Sequence, residues 1–156
     1  MITIRTGLPE DADFIAANTY RLLEFGPPRW RKAEQDQMTA ADTGHIITAL
    51  LSNDPAKSVL IAIDSSGKPC GFIHLTLQPD YYTGELNAHI TDIVVIAEAE
   101  GRGVGKLLME RADEWAREKH ARWITLNAFE GNAHARKVYE KAGYEIEWLR
   151  YLKQLK

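Results

Sequence analysis

Residues 100 to 106, EGRGVGK, set three glycines at alternate positions among one acidic and two basic side chains. Downstream, Val104, Leu107, Leu108, Ala112, Trp115 and Ala116 recur at helical spacing, so a helix begins at these glycines. A helix N-terminus carries unbonded amides and partial positive charge, which makes Arg102 and Lys106 unfavourable neighbours unless an anion joins them. Glycines at 101, 103 and 105 let the backbone approach such an anion and aim successive N–H groups at it, the way helix N-termini hold phosphates. The plainer reading is a surface turn in which Lys106 pairs with Glu110 one helical turn later. Two phosphate motifs fail on counting. A Walker loop needs four residues between its first glycine and Gly-Lys and then Ser or Thr; here three separate Gly101 from Gly105, and Leu107 follows Lys106. The dinucleotide fingerprint G-x-G-x-x-G fails because Lys106 stands at its last glycine.

Other chemistries are thinly supplied. Cys70 is the only cysteine, which excludes an internal disulfide, and its place at the head of CGFIHLTL reads as a small core residue. His45, His74, His120 and His134 do not recur at a metal-ligand spacing, so no metal is expected. No Ser-His-Asp arrangement or activated cysteine is evident.

The elements that must position the glycine turn follow from periodicity. ITIRTG reads as a strand, PEDADFIAANTYRLLEF as a helix opened by Pro9, and much of KAEQDQMTAADTGHIITALL as a second helix. SVLIAI and CGFIHLTL form a hairpin around DSSGKP, and ELNAHITDIVVI is a strand long enough to need a bend or bulge. After the helix from about Gly103 to His120 come a strand at WITLNA and a helix at NAHARKVYEKAG. YEIEWLRYLKQL then reads as two short strands or one long bent one. With 156 residues, 45% of them hydrophobic and 26% charged, the chain suits a single domain over 1–156. A net charge of −3 disfavours nucleic acid and anionic membrane surfaces as partners. Neither a signal-peptide core nor a membrane-length apolar run is present, so a cytoplasmic location is expected.

A second segment is more specific. In LNAFEGNAHARKVYEKAGYE, residues 126 to 145, Asn132 has N-cap chemistry, Ala135, Val138, Tyr139 and Ala142 share a helical face, and Gly143 ends the helix. Alone, Tyr139 reads as a core aromatic whose hydroxyl finds a partner. Together with VVIAEAEGRGVGKLL, the pattern N-x-x-A-x-x-x-Y-x-K-x-G-Y from Asn132 to Tyr144 resembles the GCN5-related N-acetyltransferase (GNAT) superfamily over essentially the whole chain.

The resemblance implies an α/β (α+β) fold: a central mixed, mostly antiparallel sheet flanked by helices, with a splayed parallel strand pair admitting acetyl-CoA. Carried over, Glu100, Gly101, Arg102, Gly103, Val104, Gly105 and Lys106 would face the pyrophosphate, and backbone near Val94 and Val95 would hold the pantetheine arm and polarise the thioester carbonyl. Asn127, Asn132 and Ala135 would line the same cleft, and Tyr139 would protonate the leaving thiolate. Family members usually have Arg or Gln where Glu100 stands and often Pro where Ala97 stands; a carboxylate there would repel phosphate and weaken CoA binding. The implied reaction is acetyl transfer to a primary amine of a small molecule or peptide by direct attack. That chemistry needs alignment, a polarised carbonyl and two managed protons, and no protein nucleophile.

His89 and Asp92 are the candidate general bases, although without a bulge their spacing puts them on opposite faces of the strand; Glu85 is a weaker third. Acceptor recognition is expected from Glu24, Trp30, Asp80, Tyr81, Tyr82 and Glu85, whose carboxylates and rings suit a cationic amine, while Arg29 and Arg31 suit an anionic group on it. A homodimer is compatible with the family. The alternative is an acyl-CoA-binding sensor or interaction module with little turnover.

Overall fold

The computed structural model describes residues 1–155. Five strands form one sheet in chain order: β1 (Thr3–Thr6), β2 (Lys57–Ile63), β3 (Pro69–Pro79), β4 (Leu86–Val95) and β5 (Trp123–Leu126). Neighbours from β1 to β4 pair antiparallel, and β5 joins β4 in parallel, which gives the expected mixed sheet. Four α-helices, α1 (Ala12–Asn18), α2 (Gln35–Leu50), α3 (Val104–Glu118) and α4 (Ala133–Lys141), complete it.

The sheet is buried on both faces, which is why its middle strands read as continuous apolar runs rather than alternating ones. On one face Leu60, Ala62, Ile73, Leu75, Ala88 and Ile90 pack with Val104, Leu108, Ala112, Trp115 and Ala116 of α3. On the other, Val59, Ile61, Phe72 and Val94 meet Ile15 of α1 and Ile46 and Ala49 of α2. Each buried Val, Leu, Ile or Phe among them stabilises the fold by about 1.5–3 kcal/mol, and each alanine by about 0.8 kcal/mol. Cys70 is buried, as its sequence context implies. Leu107 departs from the expected face of α3: it is exposed, and Met109 is buried instead.

Two irregularities position the site. The β3–β4 ladder runs from His74↔Asp92 directly to Leu75↔Ile90, leaving Thr91 as an extra, bulged residue. Ile90 and Ile93 therefore both pack toward α3 although three positions apart. By the same parity His89 and Asp92 share the opposite face, the one covered by α1 and α2. The β4–β5 ladder ends at Ile90↔Leu126 while β4 continues to Val95, so the two strands part.

Two expectations are corrected. The first helix is not continuous: α1 stops at Asn18 and a 3₁₀ turn covers Thr19–Leu23. Asn18 Nδ2 donates to the Phe14 carbonyl and Thr19 Oγ1 to that of Ile15, each at 2.8 Å, and side-chain donors competing for these carbonyls loosen the helix there. The C-terminal strand or strands are absent: residues 145–155 have no regular structure, and Ile146, Trp148, Leu149, Tyr151, Leu152 and Leu155 are exposed. A β-rich composition makes a strand only where a partner edge accepts its backbone, and this segment makes no ladder with β5.

Asp11, buried at the entry to α1, ties that entry to β1. Arg5 donates Nη1 and Nη2 to its two oxygens at 2.7 and 2.8 Å, and the Leu8 amide adds a third bond at 2.7 Å. The Arg5 guanidinium, aided by that amide, holds the Asp11 carboxyl below the ordinary range. A lowered acid pKa gives stability that is complete above the ordinary value of about 3.9 and lost as pH falls through the depressed one. Asp11→Asn is expected to cost about 1–3 kcal/mol at neutral pH and to flatten the acid limb of the urea midpoint against pH. An acid limb identical to the parent's would show that this pair does not set it.

Candidate active site

The glycine turn leaves β4 through a 3₁₀ turn at Ala97–Ala99 and reaches α3 with Gly101 at φ 72° and Gly103 at φ 80°, left-handed conformations that disfavour any side chain. Gly103 is the N-cap and offers no capping side chain; the first bond of the helix ladder is Leu107 N–H to Gly103 O at 3.1 Å. The amides of Val104, Gly105 and Lys106 are thus left without helical acceptors. Arg102 is exposed, and Lys106 Nζ lies 3.7 Å from Glu110 Oε1 in a surface ion pair of little strength. The pairing of the plainer reading therefore exists and leaves Lys106 free to turn toward an anion.

Glu100 does not stand alone. Arg21, from the 3₁₀ turn after α1, pairs its Nη2 with the Glu100 carboxylate and its Nη1 with Glu24 Oε2 at 3.1 Å, and donates Nε–H to the Val95 carbonyl at 2.9 Å. Its side chain is 10% exposed, so these bonds fix it. The charge that departs from the family pattern is answered by a cation from a different element. Glu24, expected at the acceptor, is committed to Arg21. Nothing local in the sequence marks Arg21, which lies 74 positions from Val95.

Beyond the parting of the strands, Val94 is buried toward α1 and α2, Val95 is half-buried and Asn127 is exposed just past β5. Asn132 caps α4 as its chemistry suggests, its Oδ1 accepting from the Ala135 amide at 3.1 Å. Ala135 and Tyr139 are half-buried on the same helix, whereas Val138 is exposed. Burial pushes the Tyr139 phenol up, so it remains protonated and able to donate. The loop after α1 closes on this end of the cleft: a Cβ on Gly26, at φ 110°, would stand 2.9 Å from Asn132 Cβ and 3.0 Å from Phe129 Cβ. Only glycine permits that approach.

The bulge at Thr91 gathers the titratable groups. His89 Nδ1 lies 2.8 Å from Thr125 Oγ1 on β5, and burial pushes its imidazole down, favouring the neutral ring. Asp92 Oδ2 lies 2.9 Å from His74 Nδ1, both residues being buried. Asp42 of α2 faces the same group; burial first, and then the charge of Asp92, pushes its carboxyl up. His74 was hidden in the sequence as one polar position of an apolar strand, 18 residues from its partner.

The remaining expected residues are scattered. Glu85 pairs with Arg122, which holds its carboxyl below the ordinary range. Asp80 caps its own turn through the amides of Tyr82 and Thr83 at 3.1 and 2.8 Å. Tyr81 and Tyr82 are exposed and meet edge to face at 5.1 Å, and Trp30 is exposed on the 3₁₀ turn Arg29–Glu34. Among the described residues no group of three His, Cys, Asp or Glu could hold a metal ion.

Comparison with known proteins identifies the family. The model of the acetyltransferase (GNAT) family matches residues 18–144. An uncharacterized N-acetyltransferase, YhfO of Bacillus subtilis, is 30% identical over 146 residues, covering 92% of this chain and 90% of that protein. Among solved structures, a ribosomal-protein-alanine N-acetyltransferase from Brucella melitensis superposes with a TM-score of 0.72 at 22% identity over 99% of this chain and all of the other. AAC(6')-Iy, in complex with the bisubstrate analogue CoA-S-monomethyl-acetylneamine, gives 0.71 at 21% identity over 99% of each chain. This chain belongs to the GNAT family of acetyltransferases.

Proposed function

We propose that the protein transfers the acetyl group of acetyl-CoA to a primary amine of a small molecule or peptide by direct attack. The observation that carries this reading is the parting of β4 from β5 after Ile90↔Leu126, next to an α3 N-terminus with free amides. The residues present fit CoA. A dianionic pyrophosphate suits the amides of Val104 to Lys106 with Arg102 and Lys106 beside them, and the salt bridge from Arg21 keeps Glu100 from opposing it. Bound acetyl-CoA supplies the activated acyl group.

In this reading the β4 backbone at Val94 and Val95, with Asn127, Asn132 and Ala135, lines the cleft and orients the thioester. Tyr139, kept protonated by burial, hands a proton to the departing thiolate. The proton lost by the incoming ammonium goes to the wall formed by His89 and Asp92, which the bulge turns to one face. Trp30, Tyr81 and Tyr82 stay available for the acceptor, whose class includes the amines named for the relatives. No helix among the described residues is long and apolar enough to cross a membrane, and we assign the activity to the cytoplasm, where the single cysteine stays reduced.

Calorimetric titration with acetyl-CoA, followed by thiol release across an amine panel, tests the function: binding with amine-dependent release is expected, and absence of binding by folded protein would defeat it. Tyr139→Phe is expected to lower kcat about 100-fold while the CoA dissociation constant stays within about twofold. An unchanged kcat would remove Tyr139 from the proton path. Arg21→Ala, which frees the Glu100 charge beside the phosphate turn, is expected to weaken CoA about 10-fold, roughly one charge-assisted hydrogen bond. Arg21→Ala combined with Glu100→Gln should regain most of that loss; no recovery would mean that Arg21 acts through Val95 alone.

A further inference from the structure

Residues 145–155, EIEWLRYLKQL, are exposed throughout, yet six of them are large and apolar or aromatic: Ile146, Trp148, Leu149, Tyr151, Leu152 and Leu155, between 48% and 88% exposed. Among the described residues none of their backbone groups bonds to another backbone group. A run of branched and aromatic side chains with its backbone unpaired is a strand that lacks a neighbour. The open edge of β5 does not answer it. That strand is four residues long, WITL, and carries no charge to face Glu145, Glu147, Arg150 or Lys153. Trp148 instead stands against Tyr82, ring centroids 6.4 Å apart, which sets the middle of the segment beside the loop that precedes β4.

The segment answers itself. Two copies of a strand related by a two-fold axis pair antiparallel, and because side chains alternate between faces, one residue must oppose its own copy. Centred on Leu149, Glu145 faces the partner's Lys153, Ile146 the partner's Leu152 and Trp148 the partner's Arg150, each twice by symmetry, with leucine opposite leucine at the axis. Opposite charges, apolar pairs and a guanidinium over an indole are favourable cross-strand neighbours. The adjacent centres do worse: Glu147 or Arg150 at the axis opposes like charges, and Trp148 or Tyr151 there sets apolar side chains against charged ones. In the Leu149 register Ile146, Trp148 and Leu152 of both copies share one face, which Trp148 turns toward Tyr82.

We propose that residues 145–153 pair antiparallel with the same residues of a second copy of this chain, forming a two-stranded ribbon about Leu149 that joins two protomers. The partner supplies the edge that the segment lacks within its own chain. Tyr82 lies before the first residue of β4, whereas β4 and β5 part beyond Ile90, toward the last. The ribbon therefore stands at the end of the sheet opposite the cleft and leaves the glycine turn open. The inference does not depend on the acetyl-transfer reading.

Sedimentation equilibrium of the full-length protein tests this at about 1 to 100 µM, the range of a specific interface of modest size. The parent should reach twice its 17.6 kDa. Leu149→Glu, which sets two carboxylates face to face at the axis, should raise the dimer dissociation constant at least about 100-fold. Glu145→Lys should raise it about threefold to tenfold by opposing Lys153, and adding Lys153→Glu should return it to within about twofold of the parent. Cooperative thermal unfolding should persist in each variant, because these positions are exposed in the single chain. Cysteine pairing reads the register, Cys70 being buried. Leu149→Cys should cross-link to its own copy on mild oxidation, whereas Glu145→Cys should cross-link only when mixed with Lys153→Cys. A parent that stays monomeric at the highest concentration, a dimer that survives Leu149→Glu, or a Glu145→Cys that cross-links alone as readily as Leu149→Cys would overturn the proposal. So would amides of 145–153 protected from hydrogen exchange in a monomer, which would mean that the segment folds back on β5 of its own chain.

Discussion

One extra residue in β4 organises the site. Because side chains alternate along a strand, the bulge at Thr91 reverses the parity of everything before it relative to everything after it. Toward α3 the reversal lets Ile90 and Ile93 share one apolar face. Toward α2 it sets His89 and Asp92 side by side and lines Asp92 up with His74 across the ladder. The bulge also stands where β5 leaves, so the place at which the ladder loosens is the place at which the titratable groups collect. A regular β4 would have separated these groups onto opposite faces of the sheet.

The glycine turn depends on a second arrangement, a long-range charge pair. Glu100 precedes the glycine turn where a carboxylate works against anion binding, yet Arg21 reaches it from the turn after α1 and also caps the open Val95 carbonyl. An Arg that is nearly buried, forked between two carboxylates and bonded to backbone, has little freedom left to lose. Helical irregularity after Asn18 is therefore useful: the 3₁₀ turn made by Thr19 and its neighbours delivers Arg21 to the end of β4.

Much of this was legible from residue types, and what was not has a common cause. Periodicity placed the middle strands and α3, the N-cap chemistry of Asn132 placed α4, and the length of the ELNAHITDIVVI strand required an irregularity somewhere within it. Its position could not be read, because a bulge is defined by the partner strand as much as by its own residues. Arg21 and His74 were invisible for the same reason: their roles come from Glu100, Val95 and Asp92, residues far along the chain or across a ladder. The segment after Tyr144 failed in the opposite sense, since its β-rich composition makes no ladder with the open edge of β5. Glu24 and Glu85 looked free in the sequence and are each held by an arginine.

The sheet follows the order of the chain, and that has a bearing on how it assembles. β2, β3 and β4 form a meander joined by the short loops Asp64–Lys68 and Asp80–Glu85, whereas β1 must return across α1 and α2, and β5 must wait for α3. Loop closure costs least where the connections are shortest, so residues 57–95 are the segment in which native pairing is entropically cheapest to begin. The bulge and the His74–Asp92 pair lie wholly within that segment. The paired His74 and Asp92 are thus encoded in the most local stretch of the chain, while the glycine turn at α3 and Tyr139 on α4 are positioned only as the later crossover closes.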